Sequence, residues 1–316
     1  MTSIKIESTR VGFMQGMDSL ATQDNRVILV SADSMLAMRA SEFSEKFPSQ
    51  FVEMGIAEQN AAATAAGLAI DGMIPFFATY AGFITMRACE QIRTFIAYPN
   101  LNVKLAGVNS GIAGGEREGV THQFPEDIGI LRTIPNMTIL VPADADQARQ
   151  AAIAAASILG PVYIRLGSGR DPVFFEHNTP FIPGKINILQ KKGNDIALFG
   201  NGVMLNRLQE AADELEKLGI GVTLVEVHTV KPLDIEGVTA VLMDCGAAIT
   251  AEDHQIIGGL GSAIMEAAAE NCPVPIARIG LRDKFAGSGK PDDLLNYYQM
   301  GVKDIVEAAV VTIKRK

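Results

Sequence analysis

The 316-residue chain has no tryptophan, and its aromatic content is only 6%. That shortage by itself excludes little. The shortage of cysteine says more. Cys89, Cys245 and Cys272 lie far apart and form no C-x-x-C pair, which reads as reduced, mostly buried thiols of a cytosolic protein. Basic excess is also missing: 27 Lys and Arg face 36 Asp and Glu, for a net charge of −9. A general nucleic-acid binder needs a basic surface and is disfavoured, although a local basic pocket stays open. No apolar run approaches the roughly 18 residues that span a bilayer. The opening MTSIKIESTR has no apolar signal core, so neither a membrane span nor export is expected, and the expected location is the cytoplasm. Low-complexity tracts and repeats of solenoid period are absent as well.

What is there is an alternation. Apolar residues make up 48% of the chain and charged residues 20%, the balance of a folded globular protein long enough for two domains. Short apolar runs at 26–31, 73–77, 102–108, 137–141 and 162–166 read as buried strands. Helical patterns separate them: one capped by Ser8 or Thr9, one within 51–72, one over 81–97 stopped by Pro99-Asn100, one from Pro125, and one over 144–158. Between 167 and 184 the periodicity stops, and Pro172, Pro180 and Pro183 appear. A second alternation follows, with strands at 196–200, 222–227, 247–251 and 274–279. The expected fold is α/β in two domains, each a mainly parallel sheet with helices on both faces. The expected limits are 1–168 for the first domain, 169–190 for a linker and 191–316 for the second.

The stretch 51–72, FVEMGIAEQNAAATAAGLAIDG, organises the first domain. Glu58 should lie one turn into a helix. Ala61, Ala62, Ala65, Ala66 and Ala69 recur at helical spacing on its side. An all-small face suggests a partner pressed close, which would desolvate Glu58 and raise its pKa. The plainer alternative is a solvated acid near a helix N-terminus. Ligands of α/β sheets sit beyond the carboxyl ends of the strands, and Asp33, Glu58, Tyr80, Asn109 and Arg165 all follow predicted strands closely. Tyr80 and Phe83, three apart, share a helical face and form either core or a ligand wall. His122 follows a run containing Gly111, Gly114, Gly115 and Gly119, which suits backbone lying close to a ligand. His254 precedes GGLGSA, a weak echo of a dinucleotide fingerprint.

GIAEQN, ATYAGF at 78–83 and GVTHQ at 119–123 occur together, in this order and with these gaps. Through them the chain resembles the C-terminal half of a transketolase over nearly its whole length. The resemblance implies a thiamine diphosphate pyrimidine-binding domain followed by a transketolase C-terminal domain, and an activity moving a two-carbon ketol unit between sugars. It implies that Glu58 bonds a nitrogen of the aminopyrimidine ring and drives its imino tautomer, which calls for a buried, protonated carboxyl. Tyr80, where the family usually has Phe, and Phe83 would enclose that ring, with Asp33 on the cofactor side. His122 would meet the oxygen at the sugar's reacting end and act with Glu58 as a catalytic residue. Arg10 and Arg165 resemble two arginines that grip a sugar phosphate. Asn109 and Glu118 would complete the substrate contacts. Ala37 stands where Ser is usual, Asn109 where His is usual, and Glu118 near a usual Asp, which points to an unusual sugar.

The resemblance also exposes a gap. No Gly-Asp-Gly with a following Asn occurs in the chain; Asp71-Gly72 lacks the preceding glycine. That motif holds Mg²⁺, or Ca²⁺ or Mn²⁺, and the diphosphate, so no metal site is expected here. The implied partner is a separate N-terminal subunit with the GDG…N motif, in a heterotetramer of two copies of each chain. Other members of the superfamily remain alternatives: a beta subunit of a 2-oxo-acid dehydrogenase, or an enzyme like deoxyxylulose phosphate synthase. A non-catalytic paralogue with an assembly role is the alternative from a different class.

Overall fold

In the computed structural model, residues 5–114, 119–169, 171–175 and 179–316 are described. The apolar runs of the first half become β1 (Val27–Ser31), β2 (Phe51–Glu53), β3 (Ile74–Tyr80), β4 (Lys104–Val108), β5 (Thr138–Leu140) and β6 (Val162–Arg165). The second half supplies β7 (Asn187–Lys191), β8 (Ile196–Gly200), β9 (Val222–Glu226), β10 (Thr229–Lys231), β11 (Ala248–Gln255) and β12 (Ile276–Leu281). Every residue of β1, β4, β8 and β9 is buried, which is why these strands read as mainly apolar runs rather than alternating ones.

The strands form two sheets, ordered β10-β5-β6-β4-β3-β1-β2 and β12-β11-β8-β9-β7. All pairings are parallel except β10 with β5 and β7 with β9, both at sheet edges. The expected α/β architecture is therefore the observed one. In the first sheet β1 has β2 on one side and β3 on the other, so the chain changes direction there and opens a crevice at the strands' carboxyl ends. Packing around this frame is close. An added Cβ at Gly12, in the helix Thr9–Gln23, would lie 1.9 Å from the carbonyl oxygen of Ala145 at the start of the helix Ala145–Ser157.

Three expectations need correction. The alanine face at 61–69 does not await a partner. Ala61, Ala62, Ala65 and Ala66 are buried in the chain's own core with Phe77, Ile84, Ala88 and Ile92. Their small size lets the helix Glu58–Ile70 settle onto β3; Ile56, just before it, and Ile70, at its end, are exposed. The segment at 81–97 is not one regular helix. Phe83–Arg87 and Ile92–Ala97 are wide π turns, marked by bonds from Ala88 N to Phe83 O and from Tyr98 N to Arg93 O. Each wide turn takes an extra residue and re-aims the side chains after it. Finally, the stretch expected to be a linker is partly tied down. Val173 N bonds Lys5 O, Thr9 donates N–H and Oγ1–H to the buried Asp171 carboxylate at 2.9 and 2.7 Å, and β7 begins at Asn187.

Candidate active site

The site begins with a carboxylate that sequence reasoning passed over. Glu53 ends β2, and its Oε1 accepts from Asp33 N at 2.7 Å and Gly55 N at 2.9 Å. One acid thus ties the loop after β1 to the loop after β2. Burial pushes its carboxyl up, but hydrogen bonds from Asp33, Ser31, Gly55 and Met54 outweigh that and hold it below its ordinary value. Asp33 itself is exposed, with a left-handed φ of 50°.

From Gly55 the chain turns into the helix Glu58–Ile70. Glu58 is its first residue rather than a turn inside, so the carboxylate sits at the positive end of the helix dipole. Glu58 is 6% exposed. Its Oε1 accepts from Arg87 Nη1 at 2.6 Å. The Arg87 guanidinium carbon stands 3.7 Å from the centroid of the Phe83 ring. Arg87 comes four residues after Phe83, and such a spacing on a helical segment puts a cation beside a ring. That spacing was the signal available in the sequence.

Phe83 opens onto the rest of the group. Tyr80 and Phe83 have centroids 5.2 Å apart, and His122 stands edge-on to both at 4.9 and 5.4 Å. The His122 Nδ1 is 3.0 Å from Thr121 Oγ1. Glu58, Arg87, Phe83, Tyr80 and His122 therefore form one continuous surface at the carboxyl end of the first sheet. Three segments well separated in sequence, carrying Glu58, Phe83 and His122, converge there.

The residues expected to hold substrate divide into two groups. Arg10 donates from Nε to Gly167 O at 3.2 Å, from Nη1 to Ala37 O at 3.0 Å and from Nη2 to Asn109 Oδ1. Arg10 thus touches two of the three positions that depart from the family pattern. Arg165 is engaged elsewhere. Its Nε contacts both oxygens of the buried Asp127, at 2.8 and 3.1 Å, and its Nη2 donates to Asp253 O. Burial works against its charge, but Asp127 restores it and raises the guanidinium pKa. Tyr163 donates to the same Asp127 at 2.7 Å. Arg165 is thus a member of a buried ionic cluster. Glu118 and Gly115 lie outside the described residues.

The loop after β4 is anchored from the second sheet. Asp253, in β11, accepts from Ile112 N at 2.9 Å and Ala113 N at 3.1 Å. Gly111 there has φ 72°, and a Cβ on it would fall 2.1 Å from Asp253 Oδ2, so only glycine fits. The neighbouring His254 holds a neutral tautomer's pattern, Nδ1 toward Gln255 O and Nε2 accepting from Gly129 N. Glu252 takes the amides of Leu260 and Gly261. The GGLGSA helix start therefore has an internal anion, in keeping with packing rather than nucleotide binding. A cavity of about 710 Å³ lies behind this loop, lined by Thr9, Ser110, Arg165, Asn206, Arg207 and Asp253 among others, away from Glu58.

Comparison with known proteins decides the family. Residues 7–170 match the model of the transketolase pyrimidine binding domain, and residues 184–305 match that of the transketolase C-terminal domain. The chain belongs to the transketolase family. It is 40% identical to a 6-deoxy-6-sulfo-D-fructose transketolase subunit of a Clostridium species, over 94% of this chain and 91% of that one. It is 34% identical to an apulose-4-phosphate transketolase subunit of Phocaeicola vulgatus, over 97% of each. Among solved structures it is similar to a split gene transketolase described as an inactive beta4 tetramer, with a TM-score of 0.89, 38% identity and coverage of 98% of this chain and 99% of that one.

Transketolases imply thiamine diphosphate, and the fit can be tested on the side chains. A buried acid beside flat rings matches a heterocycle with a hydrogen-bonding edge. Among the described residues, no group of three or more His, Cys, Asp or Glu is placed to hold a metal ion. The Glu58 carboxyl with the Tyr80 and Phe83 rings fits the pyrimidine end of the cofactor. None of the described helices is long and apolar enough to cross a membrane.

Proposed function

We propose that this chain is the pyrimidine-binding subunit of a two-subunit, thiamine diphosphate-dependent transketolase that transfers a two-carbon ketol unit from a ketose to an aldose. The observation that carries the reading is Glu58: a buried carboxyl at a helix start, joined through Arg87 to the Phe83–Tyr80–His122 rings. Bound thiamine diphosphate supplies an acidic ring carbon that adds to a ketose carbonyl, together with an amino group able to act as its base. Glu58 holds a proton against the ring nitrogen opposite that amino group and so fixes the tautomer in which the amino group is basic. Tyr80 and Phe83 give the ring flat apolar walls and keep water from its face. Asp33 belongs to the cofactor side of the same crevice. His122, edge-on to both rings, binds the oxygen at the sugar's reacting end and relays a proton there.

Arg10 and Asn109 meet the far end of the sugar, with Glu118 on the same loop. The two relatives are named for sugars bearing a sulfonate or a phosphate, and a guanidinium suits either anion. A sugar with an anionic far end is therefore the proposed substrate class. Arg165, held by Asp127, acts by positioning the strand end rather than by gripping substrate. The diphosphate and its Mg²⁺, or Ca²⁺ or Mn²⁺, are held by a partner subunit with a GDG…N motif, two copies of each chain forming the cytoplasmic enzyme. Functional units divide near 168 and 191, the joining stretch 169–190 being tied to the first domain through Asp171 and entering β7 at Asn187. The test is to mix the chain with that partner, thiamine diphosphate and Mg²⁺, and screen phosphorylated, sulfonated, branched and neutral sugars. Turnover should require both chains; strong turnover by this chain alone would remove the two-subunit reading.

A further inference from the structure

The Glu58–Arg87–Phe83 contact has a geometry that the proposed chemistry does not ask for. The guanidinium is planar. It lies over the Phe83 ring at 3.7 Å and sends an N–H to Glu58 Oε1 at 2.6 Å. An aminopyrimidine bound at Glu58 needs those same two contacts: a flat face on the aromatic wall, and an edge bonded to the acid. Two flat groups cannot occupy one slot. The partners are also unequal. The Glu58 side chain is 7% exposed and that of Arg87 50%, so the arginine enters from the solvent side and can leave by rotating its own stem. Its backbone carbonyl, held by Gln59 Nε2 at 3.1 Å, keeps the segment in place while the side chain moves.

We propose that Arg87 is a displaceable stopper, an internal stand-in for the pyrimidine that satisfies Glu58 and covers Phe83 until the cofactor takes both contacts. This rests on the assignment of Glu58 to the pyrimidine and adds a competitor to it. A closed slot is paid for in affinity: a site that must first release its arginine binds with a constant weakened by the fraction of open molecules. A half-exposed ion pair with a cation–π contact is modest, so the effect is about 5- to 30-fold.

The test is a calorimetric titration of the assembled two-subunit complex with thiamine diphosphate and Mg²⁺. Arg87→Met, which keeps an apolar stem, and Arg87→Ala should each bind the cofactor about 5- to 30-fold tighter than the natural chain. Arg87→Lys, which keeps the charge without the flat fork, should fall between. Equal or weaker binding by both Met and Ala variants overturns the stopper; weaker binding would mean that Arg87 supports the bound ring. Heat absent from every variant, the natural chain included, overturns it together with the cofactor reading. The two failures are distinguishable because only the second abolishes binding by the natural protein.

Discussion

At the carboxyl end of β11 stand Glu252, Asp253 and His254, three groups that could do chemistry, and each is closed off by the chain's own backbone. At the carboxyl end of the first sheet, Glu58 is also buried, yet its described partner is a half-exposed arginine side chain. Both sheets are mainly parallel, though they differ in strand number and order, and both gather polar residues where their strands end. They differ in what answers those residues. Backbone amides, fixed by the fold, turn a carboxylate into scaffold. A half-exposed side chain is not fixed in that way by the backbone. Polar clusters at strand ends are therefore weak indicators of an active site until their partners are known.

Substitutions can break this contrast. Glu58→Gln should leave the fold intact and lower turnover of the assembled enzyme by about 100-fold or more. Steady-state assays with matched circular dichroism would check it, and retention of more than a few per cent of activity would sink the role given to Glu58. On the other sheet, Asp253→Ala strands two buried amides, with an expected cost of about 2–4 kcal/mol and faster proteolysis of the loop near Gly111. The same substitution should leave cofactor contacts at Glu58 in place, so stability would fall more than intrinsic turnover.

Titration separates the regions further. Glu226 in β9 is buried, and burial pushes its carboxyl up to about 7 despite hydrogen bonds from Asn187 and Gln147. Its folded-state pKa lies above the unfolded value, so its contribution is full below pH 4.5 and is lost as pH rises through 7. Glu226→Gln should therefore raise stability at pH 8, by about 2 kcal/mol, and change little at about pH 4.5. Chemical unfolding at the two pH values would show it. Glu53 has the opposite sign. Its pKa is lowered, so its contribution is present above pH 4.5 and disappears as pH falls through its folded value. Because it is largely exposed to solvent screening, Glu53→Gln should cost at most about 1 kcal/mol at about pH 7, and the cost should shrink as pH falls through the lowered pKa.

Much of this was legible in the sequence, for identifiable reasons. Buried parallel strands announce themselves as apolar runs, and 26–31 and 196–200 landed within a residue of β1 and β8. Tyr80, Phe83 and His122 stood in recognisable motifs and do lie together, whereas Arg165, grouped with Glu58 by its place after a strand, pairs with Asp127 instead. What stayed hidden depended on distant partners. The alanine face at 61–66 shows that something packs closely, but not that Phe77 and Ile92 of the same chain do so. Asp127 lies 38 residues from the arginine it pairs with. Wide π turns use the same residues as an α-helix, so the sequence shows the Phe83-to-Arg87 spacing but not how the turn re-aims the arginine. β7 and β10 are edge strands, the second only three residues long, and an edge so short has no pattern to read.

β10 reaches from the second half of the chain into the first sheet. It lies antiparallel on β5, with Val141 N bonded to His228 O at 2.7 Å and Lys231 Nζ capping Arg132 O and Ile134 O at 2.9 and 2.5 Å. A fragment ending near 180 would present the flank of β5 with its amides and carbonyls unmatched, ready to recruit any strand that drifts by. Production of that fragment should yield inclusion bodies rather than a free module. The two halves thus protect each other's solubility.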